Sequence, residues 1–370
     1  MRKTTFPFVL LLLLLVGVWS CIDPFAPPEI NNTRQYLVFD GFVNTNGTDT
    51  SWFMLSATQN LNDPSRPSYQ MDATLSVEGD KGVTYPFSPH PSLPGTYFRA
   101  PEAFDLSQNY RLNILLNGNH YQTDWQKFQA SPPIDSVTYE IKNGEGVQIY
   151  VHTHDPSNAS KFYKWSFEET WEYHAPLFSS LEVIGRSIVD RVVPINRCWS
   201  SATATNINLF TTANLSRDLV AYHPINYVSA ATNKLLYGYS ILVHQQVLSR
   251  EGFDYFNELA KNNETNGSIF DPFPSQLTGN IHCLTDPDEK VFGFFRGGTV
   301  QSQRIFIREY LGRGPQCFQV DTLTRAEVFE SGNLIAYELP EMPLNYVTAA
   351  PFCLDCREMG GTILRPWFWR

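Results

Sequence analysis

The sequence predicts a mainly β protein, with an Ig-like β-sandwich over residues 35–130 and a larger β-rich domain over 136–370 that carries one or two helices. Three observations predict it. Aromatic residues make up 14% of the chain and charged residues only 17%, a balance that suits half-buried pleated strands better than solvated helix faces. Over residues 36–128, short alternating apolar runs are divided by clusters of Gly, Pro and Asn. No alternation of strands with helices occurs, as a parallel sheet would require.

The elements follow in order. Residues 36–43 read as a buried strand that ends in the turn chemistry of Asn44-Thr45-Asn46-Gly47, and residues 52–57 form the next strand. After a proline-rich loop at 63–68, residues 73–78 alternate as a half-buried strand does, and Gly79-Asp80-Lys81-Gly82 turns them into 83–85. Further strands are expected over 95–99, 110–116 and 121–128. The last two are joined by Asn117-Gly118-Asn119, and an Asn-Gly pair between alternating runs is a strong hairpin signal. About seven strands in some 95 residues is the rhythm of an Ig-like sandwich. Pro132-Pro133 marks the boundary, because prolines are excluded from central strands and stiffen a link. Beyond it, strands are expected over 137–141, 147–154, 161–170, 235–245, 291–295 and 304–307. A helix is expected over 249–262, with Ser249 as its cap and Phe253, Phe256, Leu259 and Ala260 on one face.

Residues 1–20 read as a lipoprotein signal peptide. Arg2 and Lys3 supply a positive start, and residues 6–18 form an apolar core shorter than the roughly 20 residues of a membrane span. Ser20 then precedes Cys21, which is expected to be the lipidation site and the mature N-terminus; the alternative is an ordinary secretory signal with an incidental cysteine. One acyl chain holds a protein to a membrane only marginally, whereas two or three hold it permanently. Residues 21–34 are the lipidated tether, kept extended by Pro24, Pro27 and Pro28, and Asp23 is compatible with sorting to an outer membrane. The chain holds 27 basic residues, two of them in the signal, against 37 acidic ones, so the mature body carries a net charge of about −12. Such a body repels phosphate backbones, and no basic stripe reverses this, so no nucleic-acid partner is expected.

Beyond Cys21 the cysteines are Cys198, Cys283, Cys317, Cys353 and Cys356. In an oxidising envelope these are expected to be disulfides rather than catalytic thiols. Spacing does not fix their connectivity. The favoured arrangement has Cys353 and Cys356 reaching back to Cys317 and Cys198, with Cys283 left as a buried thiol. The Cys353-Leu354-Asp355-Cys356 spacing also fits a zinc knuckle or a redox pair, but zinc would want a second such pair. His152 and His154 alternate along a strand beside Asp155, which makes these three the weak candidates for a metal site lacking further ligands. There is no Gly-x-Ser-x-Gly elbow, and Glu168 and Glu169 face opposite ways on a strand, which is wrong for glycoside cleavage. No catalytic set, metal or other cofactor is expected, and the chain reads as a non-enzyme. Trp165 and Trp171, with Trp367 and Trp369 near the end, are the candidate ligand or partner surface, against the commoner role of such rings in a core.

The tether Cys21-Ile22-Asp23-Pro24-Phe25, the strand ending in Asp40-Gly41, the linker Pro133-Ile134-Asp135-Ser136, Gly267-Ser268-Ile269-Phe270-Asp271-Pro272 and Gly279-Asn280-Ile281 form a recognisable set. Cys353-x-Asp355-Cys356-Arg357-x-x-Gly360-Gly361-Thr362 completes it. Together they resemble a Bacteroidota lipoprotein family, domain-of-unknown-function family 4249, over essentially the whole mature chain. The resemblance brings no catalytic residues. It implies a lipid-anchored outer-membrane protein, exposed at the cell surface, that accompanies a TonB-dependent β-barrel receptor. The expected role is a non-enzymatic accessory subunit, capturing an oligosaccharide or peptide ligand or docking as a lid. The alternatives are a structural or assembly factor of the outer membrane, and an envelope metallohydrolase using His152, His154 and Asp155.

Overall fold

The computed structural model describes residues 35–59, 63, 65, 68–264, 277, 279–340 and 344–369. The signal, Cys21, the tether, half of the proline-rich loop and the segment 267–272 lie outside them. The described chain is mainly β, as the composition predicts. Its first strands are β1 (Leu37–Asn44), β2 (Ser51–Ala57), β3 (Thr74–Gly79), β4 (Thr84–Pro89), β5 (Thr96–Arg99), β6 (Asn109–Leu116), β7 (Asn119–Thr123) and β8 (Gln126–Lys127). Then come β9 (Ile134–Lys142), β10 (Gly146–His154), β11 (Phe162–His174), β12 (Leu181–Ile184), β13 (Ser187–Asp190), β14 (Arg197–Thr203), β15 (Asn208–Thr211), β16 (Leu219–Ser229) and β17 (Gly238–Val247). Helix α1 (Arg250–Glu264) follows, with the Ser249 hydroxyl accepting from the Gly252 N–H at 3.1 Å, the cap that the sequence indicates. The remaining elements are β18 (Ile281–Cys283), β19 (Val291–Phe292), β20 (Gly297–Gly298), β21 (Gln301–Ile307), β22 (Val320–Thr324), α2 (Arg325–Ser331), β23 (Leu334–Leu339), β24 (Asn345–Ala349) and the short α3 (Pro351–Leu354).

Alternation decides the first sheet. In β6, Tyr110, Leu112, Ile114 and Leu116 point inward, where they meet Phe53, Phe87 and Phe128. Tyr110 stacks on Phe128 at 4.5 Å and Phe53 on Phe87 at 4.2 Å. The sandwich expected over 35–130 takes the form of one eleven-stranded sheet, ordered β18-β7-β6-β3-β4-β5-β2-β1-β19, with β8 beside β6 and β20 beside β1. It curls until its two ends, β18 and β19, approach each other as in a nearly closed barrel. The closing strands come from residues 281–298, which the division at 130–136 assigns elsewhere. Backbone packs directly on backbone there: a Cβ on Gly293 would lie 2.2 Å from the Phe39 carbonyl oxygen, and one on Gly298 2.1 Å from that of Gln129.

A three-stranded sheet, β16-β10-β9, and a five-stranded sheet built on β14-β11-β17-β21, with β15 also on β11, enclose the second core. Val147, Ile149, Val151, Tyr163, Trp165, Ile241 and Val243 fill it. The hairpin β12–β13 and the sheet β22-β24-β23 stand beside it.

Two disulfides hold that last sheet and the C-terminal turn, Cys198–Cys356 and Cys317–Cys353, and Cys283 is a buried free thiol. This is the arrangement favoured from the sequence. The Asp-Cys-Arg and Gly-Gly-Thr positions around Cys356 each have a job in the knot. Tyr173 Oη donates to the Cys356 carbonyl at 3.0 Å, and Trp199 and Thr362 exchange backbone hydrogen bonds at 2.8 and 2.9 Å. A Cβ on Gly361 would fall 2.1 Å from Tyr173 Oη, so only glycine fits there. Burial works against ionisation of Asp355, but the Arg357 side chain and N–H outweigh it and hold the carboxyl below its usual range.

The disulfides close separations of 158 and 36 residues, for which the chain-entropy model gives about 5 and about 4 kcal/mol. Replacing Cys198 and Cys356 together by Ser is expected to lower the urea unfolding free energy by about 3–5 kcal/mol. Cys283→Ala, which breaks no bridge, is expected to cost about 1 kcal/mol in the same titration.

Candidate binding face

Along β10 the alternation sends Val147, Ile149, Val151 and Thr153 inward and leaves Gln148, Tyr150, His152 and His154 on the outer face of the three-stranded sheet. The two histidines therefore share a face, as the sequence indicates. Each is committed to a hydrogen bond. His152 Nδ1 faces the Tyr222 N–H at 3.3 Å, and an N–H can only donate, so this nitrogen accepts. The proton then sits on Nε2, which lies 2.9 Å from Thr138 Oγ1. His154 Nδ1 is 2.8 Å from Asp135 Oδ2, and the hydrogen bond and charge of Asp135 push the imidazole above its ordinary pKa. Asp155 accepts from the N–H groups of Ser157 at 2.8 Å, Ala159 at 3.1 Å and Ser160 at 2.8 Å. Burial would raise its pKa, but these donors and the Ser157 hydroxyl hold it well below the usual carboxylate range. Asp155 thus organises a turn. Among the described residues, no group of three or more His, Cys, Asp or Glu comes together to hold a metal ion.

The face has one strained residue. The β10–β16 register runs from Val151↔His223 to Thr153↔Val220, so His152 alone opposes both Ala221 and Tyr222. This is a β-bulge, and Tyr222 within it has φ of +52°. Glycine adopts this left-handed conformation freely, and a residue with a Cβ there costs about 1–2 kcal/mol. The Tyr222 ring remains 70% exposed, edge-to-face with His152 at 4.6 Å and with Tyr150 at 5.9 Å. Further along, Tyr227 lies over Gly146, where a Cβ would meet its hydroxyl at 2.6 Å. Glu140 and Lys142 pair with each other on the same face. At its end a pocket of about 380 Å³ is lined by His154, Asp155, Asn158, Arg217, Asp218 and Leu219. Its wall is fixed by buried Asp218, which accepts from Tyr163 Oη and Thr212 Oγ1, both at 2.6 Å. Burial, then the Asp218 carboxylate, pushes the Tyr163 phenol up.

The tryptophans proposed as a surface are not brought together. Trp165 is in the core, with Nε1 donating to Gln245 Oε1 at 3.0 Å, because Tyr163, Trp165 and Phe167 occupy the inward positions of β11. Trp369 is also buried, its Nε1 donating to Glu172 Oε2 at 3.1 Å. Trp171 is half-buried under the Lys234 ammonium at 4.6 Å. Trp367 alone of the four stands free in solvent, 95% exposed. The rings of the face, half-buried Tyr150 and exposed Tyr222 and Tyr227, escaped the sequence reading, since Ala221-Tyr222-His223-Pro224 contains no glycine to announce a bulge.

The family model described as "Domain of unknown function (DUF4249)" matches residues 22–304. The chain belongs to the DUF4249 family. The DUF4249 match takes in the whole candidate face and ends inside β21, so Cys317 and the Cys353–Thr362 part of the knot lie beyond the matched span. No curated protein matches the chain. Among solved structures, a DUF4785 family protein from Legionella pneumophila is similar at 8% identity and a TM-score of 0.18, over 56% of this chain and 52% of that one. The DUF4249 chain thus spans about half the length of that structure.

His223, on β16 behind the face, packs against Trp165 at 4.8 Å and Phe210 at 5.0 Å. Burial pushes its pKa down to about 4 from the ordinary 6.5. The unfolded chain therefore takes up a proton on this residue before the folded one does. Its contribution is whole above pH 6.5 and is lost as pH falls from 6.5 towards 4. His223→Gln is expected to flatten the fall in the urea midpoint between pH 7.5 and pH 5; an unchanged slope would contradict this assignment.

Proposed function

We propose that this protein is an outer-membrane lipoprotein that serves at the cell surface as a non-enzymatic accessory subunit of a TonB-dependent β-barrel receptor. Acyl chains on Cys21 anchor it, and the outer face of β9–β10–β16 captures the ligand. The observation that carries the reading is the N-terminal sequence: Arg2 and Lys3, a short apolar core, and Cys21 directly after Ser20. Membership of DUF4249 supports it.

A second surface suits a protein partner. On the first sheet, Trp52 lies opposite Phe98, and with Met54, His90 and Leu93 they line an open, largely apolar groove of about 570 Å³. Ligand and receptor then occupy separate faces of the body.

Mass spectrometry of the membrane fraction is expected to find an acylated N-terminal cysteine, which Cys21→Ser abolishes. Solubilisation in mild detergent is expected to co-purify one β-barrel receptor. An unacylated, freely released polypeptide would overturn the anchor, and recovery without any barrel would overturn the accessory role.

A further inference from the structure

We propose that the ligand taken by the β9–β10–β16 face is a neutral oligosaccharide, and that Tyr222 is its principal stacking residue. The proposal rests on the ligand-capture reading above and adds the ligand class. It begins from an imbalance. Tyr222 holds a backbone conformation that glycine adopts without strain, while its ring is 70% exposed. Core packing therefore does not explain a tyrosine there. The bulge turns the ring outward, and the His152 Nδ1 bond to the Tyr222 N–H holds it so.

The surrounding chemistry selects the class. Beside Tyr222 stand the rings of Tyr150 and His152, the latter bonded to Thr138, and further along the same face lie Gln148 and the Tyr227 ring. The charges on the face are matched, Glu140 with Lys142 and His154 with Asp135. A sugar ring offers an apolar C–H face to stack on an aromatic ring and hydroxyls for neutral hydrogen bonding, which is what this face supplies. The pocket of about 380 Å³ at its end lies at the lower end of the range for small-ligand sites and can take one terminus of a short oligomer.

Two other occupants fit less well. An extended peptide adds to a regular sheet edge, but the β16 edge is broken by two bulges and contains Pro224, which has no N–H. The other edge strand, β9, is tied to the neighbouring segment by Tyr139 Oη donating to Glu309 Oε1 at 2.6 Å. Polyanions are repelled by a chain of net charge −10.

The test uses the full-length lipoprotein in lauryldimethylamine oxide, a detergent without a sugar headgroup. Calorimetric titration with maltohexaose, cellohexaose, xylohexaose, laminarihexaose and mannohexaose is expected to give saturable binding for at least one of them. Tyr222→Gly is expected to weaken it tenfold or more while leaving the thermal unfolding midpoint unchanged or raised, and Tyr222→Phe to keep the affinity. Tyr227→Ala, which leaves the bulge alone, is expected to weaken binding as well. Binding of none of the five sugars overturns the ligand class. Unchanged affinity in both Tyr222→Gly and Tyr227→Ala overturns the site. Sugar binding lost while a barrel still co-purifies would remove this inference alone; sugar binding without a barrel would remove only the accessory role.

Discussion

Residues 279–298 approach the first sheet at distances that only glycine permits, and the architecture depends on that approach. The return brings β19 and β20 alongside β1 in parallel and β18 alongside β7. Three residues after β20 the chain enters β21 in the five-stranded sheet. Within a few residues the chain thus passes from the first core, to which Ile281, Val291 and Phe295 belong, into the second, to which Ile307 belongs. Arg296, between them, donates to the Gly41 carbonyl at 3.2 Å and lies over the Phe42 and Phe256 rings. Burial pulls its pKa down to about 10 and that of Lys164, also over Phe256, to about 8. Two desolvated cations are tolerated because aromatic faces and the charge of Asp40 offset part of their cost.

Much of this was legible in the chain and some of it was not, for physical reasons. Strands with one wet face, such as β3 and β6, announce themselves by alternation. The Ser249 cap and the hairpin at Asn117-Gly118 are local chemistry and were read directly. The closing strands β18, β19 and β20 are only two or three residues long, and they pair with partners about 160 to 250 residues earlier in the chain. No window along the sequence contains that information. β22, with exposed or half-buried side chains, and β23, whose buried Ile335 and Ala336 are adjacent rather than alternating, lack a period of two.

The site shows the same division. His152 and His154 were found because period two places them together, but their neighbours Thr138 and Asp135 turn both into structural hydrogen-bond partners. Trp165 was offered as a surface although the alternation of β11 sends it inward. Tyr222 was missed because its exposure follows from a bulge, and a bulge is a property of two strands rather than of one. The cysteine pairing was reached although spacing alone left it open, and the positions around Cys356 prove to be the ones that let the last turn press against Tyr173 and Trp199.

The glycine-lined return couples the first sheet and the second core into one cooperative body, and the outer face of β9–β10–β16 is carried on it. Native-state hydrogen exchange tests it most directly, by following amides of β1 and β2 together with those of β17 and β21 as denaturant is raised. All four sets are expected to merge into a single opening with one free energy and one denaturant slope. Separate, earlier exchange of β1 and β2 while β17 and β21 stay protected would contradict it.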